Sequence, residues 1–404
     1  MIATLPQNIT LGNPNRNSHQ KLRVAVVTET YPPEINGVAN TVKHCVDGLI
    51  QKGHQVHLIR PRQGKDDLSL KKNLYSEKLV AGLRLPMYKD VRIGLPSLWS
   101  LRSEWKKSRP DVLYIATEGP LGLAALLLAR KLSIPVVSGY HTNFDYFTRY
   151  YKLGFLENLT SRYLRFFHNR SEKTLVPTQE LQKKLSEKKI QNTTVFVRGI
   201  DISLFKPDRR SHALRNQWNV GRAGLAVIYV GRIAAEKNLQ LAEKAFRRIQ
   251  EYHPDARFIL VGDGPSAKAM RARNPDFIFC GMQTGKELAR HYASADLFLF
   301  PSLSETYGNV VLEAMASGLP VVGFDYAAIA EHVRNDINGF KAGFDLEEDF
   351  LLAAEKAVKC KTLKQMGAQS RDSVEAISWE KLHDRFETIL LAESKNDQYF
   401  AATQ

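Results

Sequence analysis

Cysteine is scarce in this sequence and never paired. Cys45, Cys280 and Cys360 are the three in 404 residues, and none belongs to a Cys-x-x-Cys pair. A disulfide scaffold is therefore excluded, and the pattern fits reduced thiols in the cytosol. Long apolar runs are missing too. The longest, Leu121 to Ala129, falls far short of the ~20 residues a membrane-spanning helix needs, so it reads as a helix buried against a sheet. Residues 1–20 are polar, hold no continuous apolar core and read as a disordered N-terminus rather than a signal peptide. These absences exclude an integral membrane protein of helical type and leave a soluble or peripheral one.

Several cofactor signatures are also lacking. A dinucleotide-binding domain places Gly-x-Gly-x-x-Gly directly after its first strand. Here the first strand runs into Thr30-Tyr31-Pro32-Pro33-Glu34-Ile35-Asn36-Gly37, and Val261-Gly262-Asp263-Gly264-Pro265 has no third glycine. No Walker lysine loop occurs. His141, His168, His291 and His332 show no paired ligand spacing, and no Asp-x-Asp pair is present to hold a divalent ion on a diphosphate. No metal and no cofactor is expected.

What is present is a basic, otherwise ordinary globular composition. Fifty-seven Lys and Arg against 42 Asp and Glu give a formal charge of +15. With 44% hydrophobic and 25% charged residues, the chain has the make-up of a folded protein of two or three domains. The basic excess favours an anionic partner: a membrane surface, a nucleic acid or a phosphorylated ligand.

Two series of short apolar segments alternate with helical stretches. The first comprises Leu22–Thr28, Gln55–Ile59, Asp111–Ala116, Ile134–Ser138 and Lys173–Val176, with a helix over Thr41–Lys52 after the Asn36-Gly37 turn. The second restarts at Leu225–Val230 and continues through Arg257–Val261, Phe277–Phe279, Asp296–Pro301 and Pro320–Gly323. Alternation of this kind predicts two α/β units with parallel sheets. Residues 21–200 and 201–377 are the two Rossmann-like domains. Residues 378–404 form a C-terminal helix that crosses back to the first. Ligands would sit in the cleft, at the C-terminal ends of the strands.

Chemistry-bearing residues gather in the second unit. Arg232 and Lys237 follow its first strand, in a loop that opens a helix, and Glu305 ends the strand–loop Asp296–Glu305. Glu313 lies eight residues further on, in the helical run Gly308–Ser317. Each alone reads as a solvated surface charge. Glu313, however, precedes a small-residue stretch suited to tight packing, where a lone carboxylate is costly. Glu305 stands before a helix start, whose free N–H groups favour an anion. At 1.5 Å per residue the two carboxylates could grip separate hydroxyl-bearing parts of one elongated ligand. The helix start and the cation pair could hold a diphosphate between them, and a nucleoside diphosphate sugar fits that pattern.

The segment Glu305 to Glu313 resembles the E-x7-E motif of the retaining family 4 glycosyltransferases. The resemblance runs from about residue 23 onward. It includes Gly231-Arg232, Glu236-Lys237-Asn238, Val261–Pro265, Phe300-Pro301-Ser302, Gly318–Val322 and Tyr31–Val38. It implies the GT-B fold, two Rossmann-like domains facing a central cleft, and metal-independent transfer from a sugar nucleotide. It further implies that Glu305 contacts the sugar and Glu313 the ribose, while Arg232 and Lys237 neutralise the leaving diphosphate. Gly37 would let its loop approach the diphosphate, with Asn36, tolerant of a left-handed backbone, standing where many members have a second glycine. His141 would sit near the sugar, Gly308 and Asn309 would offer backbone N–H groups, and Gly281-Met282 would hold the base.

The acceptor is expected on the first unit. Phe144–Lys152 and Phe155–Lys173 are dense in aromatic and basic residues. Leu159, Tyr163, Phe166 and Phe167 fall near one helical face flanked by Arg162, Arg165 and Arg170, an arrangement suited to an anionic membrane interface. Tyr31 is a further acceptor-side candidate. Thr117–Gly122, Tyr140–Thr142 and Arg198–Asp201 are similar to bacterial glycolipid synthases, which implies a lipid acceptor such as diacylglycerol or a glycolipid. The implied location is the inner face of the cell membrane, peripherally bound, with no nucleic acid partner. The alternatives are a family member acting on a soluble or polysaccharide-precursor acceptor and a non-catalytic basic membrane-binding module.

Overall fold

The computed structural model describes residues 20–401 except 35, 86, 87, 96, 97, 142–156 and 306. The first sheet collects β1 (Arg23–Val27), β2 (Gln55–Pro61), β3 (Lys71–Lys72), β4 (Tyr75–Val80), β7 (Val112–Ile115), β8 (Val136–Gly139), β9 (Lys173–Val176) and β10 (Thr193–Val195). Their order is β10-β9-β8-β7-β1-β2-β4-β3, and every pairing except β3 with β4 is parallel. A separate antiparallel hairpin joins β5 (Gly82–Leu85) to β6 (Tyr88–Gly94). Strands β1 and β7 are almost wholly buried, which is why they read as unbroken apolar runs: helices cover both faces of a parallel sheet.

The second sheet has order β13-β12-β11-β14-β15-β16 and is parallel throughout. Its strands are β11 (Ala226–Val230), β12 (Arg257–Val261), β13 (Ile278–Phe279), β14 (Leu297–Phe300), β15 (Val321–Phe324) and β16 (Gly339–Ala342). One large core surrounds this sheet, while two smaller cores lie on the opposite faces of the first.

The C-terminal helix Trp379–Ala401 packs on the helix Gly37–Gln51. Trp379, Leu382, Phe386 and Leu390 enter the core of the first sheet. Trp379 stacks on His44 with ring centres 4.2 Å apart. Its ring also lies against Gly199, where a Cβ would come within 2.6 Å of it. The chain therefore passes between the two sheets twice at one place, near Gly199 and near Ser378, which pairs with Ile200.

The expected turn at Asn36-Gly37 is corrected by the structure. The helix already begins at Gly37, and Asn36 is extended (φ −150°, ψ 161°), not left-handed. Its side chain accepts a hydrogen bond from Ala39 N at 2.8 Å, an N-cap satisfying one orphan donor.

Candidate active site

The loops after β11, β12 and β14 converge at the C-terminal edge of the second sheet. Gly231 N donates to Val261 O and Ile233 N to Asp263 O, each at 3.0 Å, so the first two loops lie backbone against backbone. A Cβ at Gly262, where φ is +133°, would stand 2.0 Å from Gly231 O. The incomplete Gly-x-Gly of the sequence thus packs loop on loop.

That packing delivers Lys237 to Glu305. The ammonium forms an ion pair with Glu305 Oε1, and Ser302 Oγ donates to the same oxygen at 2.8 Å. Tyr326 Oη contacts the Glu305 main-chain N–H. Burial pushes the Glu305 carboxyl up, but Lys237, Ser302 and Arg198 together outweigh it and hold its pKa below the usual value. Arg232 is more exposed and pairs with Glu236 at 3.5 Å.

Gly308 caps the next helix, Asn309–Ala316, in a left-handed conformation (φ 94°) that glycine adopts without strain. Glu313 sits in that helix and accepts a hydrogen bond from Tyr292 Oη at 3.0 Å. Burial raises its carboxyl to about 7, and the tyrosine only partly offsets this. The two glutamates of one motif thus differ in electrostatics: one ionised against a lysine, the other close to half-protonated at neutral pH.

From the first unit, the N-terminus of the Gly37–Gln51 helix faces the N-terminus of the Asn309 helix. A Cβ at Gly37 would lie 3.4 Å from Asn309 Nδ2 and 3.3 Å from Arg198 Nη1. His141 stands beside them with both ring nitrogens engaged. Nε2 is 2.9 Å from Tyr114 Oη, and Nδ1 is 3.4 Å from Arg198 Nη2. Burial, followed by the nearby Arg198 charge, lowers the His141 pKa to about 3, so the ring is neutral. Two helix ends with positive partial charge, Lys237 and Arg198 give this cleft an electrostatic character that favours an anion.

Other expected positions fall further out or elsewhere. Gly281 has φ +66° and its carbonyl accepts from Gly262 N, while the Met282 side chain is exposed. Phe144–Lys152 lies outside the described residues. Two residues expected on the acceptor side or the membrane face are buried. Tyr31 is buried among core residues of the first sheet. Phe167 is 0% exposed and packs against the opposite face of that sheet, with Trp105 and Leu126. In the helix Glu157–His168, Leu159 and Phe166 face outward while Leu164 and Phe167 face inward. Arg162, Arg165 and Arg170 are exposed, and Arg170 lies 3.6 Å above the Phe166 ring.

Arg198, Tyr114, Tyr292 and Ser302 complete the site without having been singled out as site residues. Two of them carried a local signal: Ser302 stands three residues before Glu305, and Arg198 opens the stretch Arg198–Asp201 that is similar to glycolipid synthases.

Two family models match: "Glycosyltransferase Family 4" over residues 35–204 and "Glycosyl transferases group 1" over residues 224–359. The chain is 32% identical to a GDP-mannose-dependent alpha-mannosyltransferase of Corynebacterium glutamicum, covering 89% of this chain and 86% of that protein. It is 28% identical to an alpha-monoglucosyldiacylglycerol synthase of Streptococcus pneumoniae, over 74% of this chain and 70% of that one. The sulfoquinovosyl transferase of Arabidopsis thaliana is also 28% identical, over 94% and 74%. Among solved structures, sucrose-phosphate synthase from Thermosynechococcus elongatus superposes with a TM-score of 0.75 at 17% identity, covering 95% of this chain and 100% of that one. The chain belongs to the family 4 glycosyltransferases, and its fold is GT-B. It is a glycosyltransferase.

Proposed function

We propose that this enzyme transfers a hexose from a nucleoside diphosphate sugar to a membrane lipid, with retained anomeric configuration and without a metal ion. One observation carries the reading: Lys237 and two helix N-termini face one cleft beside the paired acids Glu305 and Glu313. In this assignment Glu313 takes the ribose, the helix ends and Lys237 take the diphosphate, and Glu305 takes the sugar. Charge grows on the diphosphate as the glycosidic bond breaks, and preorganised cations and N–H groups there lower the barrier. They stand where a divalent ion would otherwise be required. The departing phosphate accepts the proton of the acceptor hydroxyl.

The lipid acceptor is supported by relatives that carry diacylglycerol in their names. It is supported as well by an apolar rim on the first unit. Leu98, Trp99, Leu159 and Phe166 are exposed, Trp99 by 85%, and the helices bearing them bury their other sides against the same face of the sheet. With Arg162, Arg165 and Arg170 alongside, this rim would rest on an anionic membrane surface at the inner face of the cell membrane. No helix among the described residues is long and apolar enough to cross a membrane.

The test is incubation with labelled UDP-glucose or GDP-mannose and a bacterial lipid extract, in excess EDTA. Label is expected in the organic phase. Label confined to water-soluble products would point to a soluble acceptor instead. Transfer abolished by EDTA and restored by Mg²⁺ would contradict the metal-free mechanism.

A further inference from the structure

Arg198 is a buried cation with no direct ion pair among the described residues, although Glu305 is close enough for the two charges to act on each other. It is 5% exposed. Its Nη1 donates to Asn309 Oδ1 at 3.3 Å and its Nη2 to His141 Nδ1 at 3.4 Å, both long, while Nε has no partner. The Tyr307 ring centre is 5.9 Å away. Burying an ion on such terms is expensive.

The surroundings add to the cost. The guanidinium lies between the N-termini of the Gly37 and Asn309 helices, both of which carry partial positive charge. Gly37 is tight here for a steric reason: any side chain would press on Arg198 Nη1 at 3.3 Å. Arg198 also occupies the crossing between the two units, touching His141 on one side and Asn309 on the other. An anion bound between the helix ends would relieve the mutual repulsion of all three groups.

We propose that Arg198 is a third cation on the terminal phosphate of the nucleoside diphosphate, supplied at the crossing from the first unit. This rests on the sugar-nucleotide reading given above. His141 and Tyr114 then serve as positioning residues. Because Arg198 can only donate, His141 Nδ1 must accept, so the ring proton resides on Nε2 and is donated to Tyr114 Oη. The neutral imidazole holds the guanidinium in place and withholds no charge from the phosphate.

The assignment distinguishes diphosphates from monophosphates. UDP, GDP, UMP and GMP are titrated calorimetrically into the wild type, Arg198→Gln and Arg198→Lys. Arg198→Gln is expected to weaken the bound diphosphate at least about tenfold, the scale of one lost charge-assisted contact, and to leave monophosphate affinity within about twofold. Arg198→Lys should recover part of the diphosphate affinity. In transfer assays kcat should fall by a larger factor than KM rises, since the phosphate charge peaks in the transition state. Equal diphosphate affinity in Arg198→Gln overturns the proposal, as does equal loss for monophosphates and diphosphates, which marks a merely structural role. Should Arg198→Gln not fold, Tyr114→Phe serves in its place, with the same selective loss expected and an unchanged ratio overturning the proposal. A wild type that binds none of the four nucleotides overturns both this proposal and the reading beneath it.

Discussion

Glu305 and Glu313 share one motif and lie eight residues apart, yet their surroundings shift their carboxyls in opposite directions. Glu305 is held ionised by Lys237, whereas burial lifts Glu313 to about 7. The sign of the resulting pH effect follows from linkage. Between its ordinary value of 4.5 and about 7, Glu313 keeps in the folded chain a proton that the unfolded chain has lost, so stability falls as pH rises through that window. Glu29 contributes in the same sense, its carboxyl also raised to about 7 by burial. The buried neutral histidines His44, His141 and His332 act oppositely, because burial lowers their pKa values. The difference between wild type and Glu313→Gln isolates the one group. The variant is expected to lose less Tm than the wild type between pH 5 and pH 8, and parallel curves from scanning calorimetry would contradict the assignment. Nucleotide affinity should drop in the same variant, because ribose contacts change little between ground and transition states. Glu305→Gln, by contrast, should impair transfer while sparing free diphosphate binding; loss of both alike would remove Glu305 from the sugar.

At the scale of elements, burial decided what the sequence made legible. Strands β9 and β12 have the bounds expected of them, because both are short runs buried over all but their first residue. Strand β4 (Tyr75–Val80) was missed: it is half-buried and carries Glu77 and Lys78. Glu77 pairs with the buried Arg60, a contact invisible in a hydropathy pattern. Strand β16, four residues containing Gly339 and Lys341, was missed for the same kind of reason. In the site, Lys237, Glu305 and Glu313 were legible because one loop and one motif hold them. Arg198 was legible only within the stretch Arg198–Asp201 and not as a site residue, since its partners His141 and Asn309 are 57 and 111 residues away. The helix Glu157–His168 shows where periodicity misleads. Neighbouring phenylalanines fall on different sides of it, one core and one surface. Phe167→Ala should therefore cost ~3–5 kcal/mol in chemical denaturation, and Phe166→Ala less than about 1 kcal/mol. In flotation with anionic vesicles the order should invert: Phe166→Ala weakens binding and a folded conservative Phe167→Leu does not. Changing Arg162, Arg165 and Arg170 together to Glu should release the protein, at ~1 kcal/mol per charge and sensitive to salt. Vesicle binding untouched by the triple change would remove this helix from the membrane surface.

For the whole molecule, two parallel sheets bring two helix N-termini together with Arg198 between them, and in the proposed function the cations there neutralise the diphosphate. The first sheet supplies Gly37 and His141, the second supplies Lys237, Glu305 and Glu313, and Arg198 stands at the crossing. Packing of the C-terminal helix Trp379–Ala401 onto the Gly37–Gln51 helix anchors that crossing. The account stands on the cleft being the place where diphosphate charge is neutralised as sugar leaves. Steady-state transfer of labelled sugar to lipid by wild type and Lys237→Ala, at saturating donor and in excess EDTA, measures this most directly. The variant should fold with an unchanged circular dichroism spectrum, and its kcat should fall by roughly 10²–10³, as for loss of one oxyanion donor. A Lys237→Ala enzyme that turns over at the wild-type rate would contradict the assignment of this cleft as the transfer site.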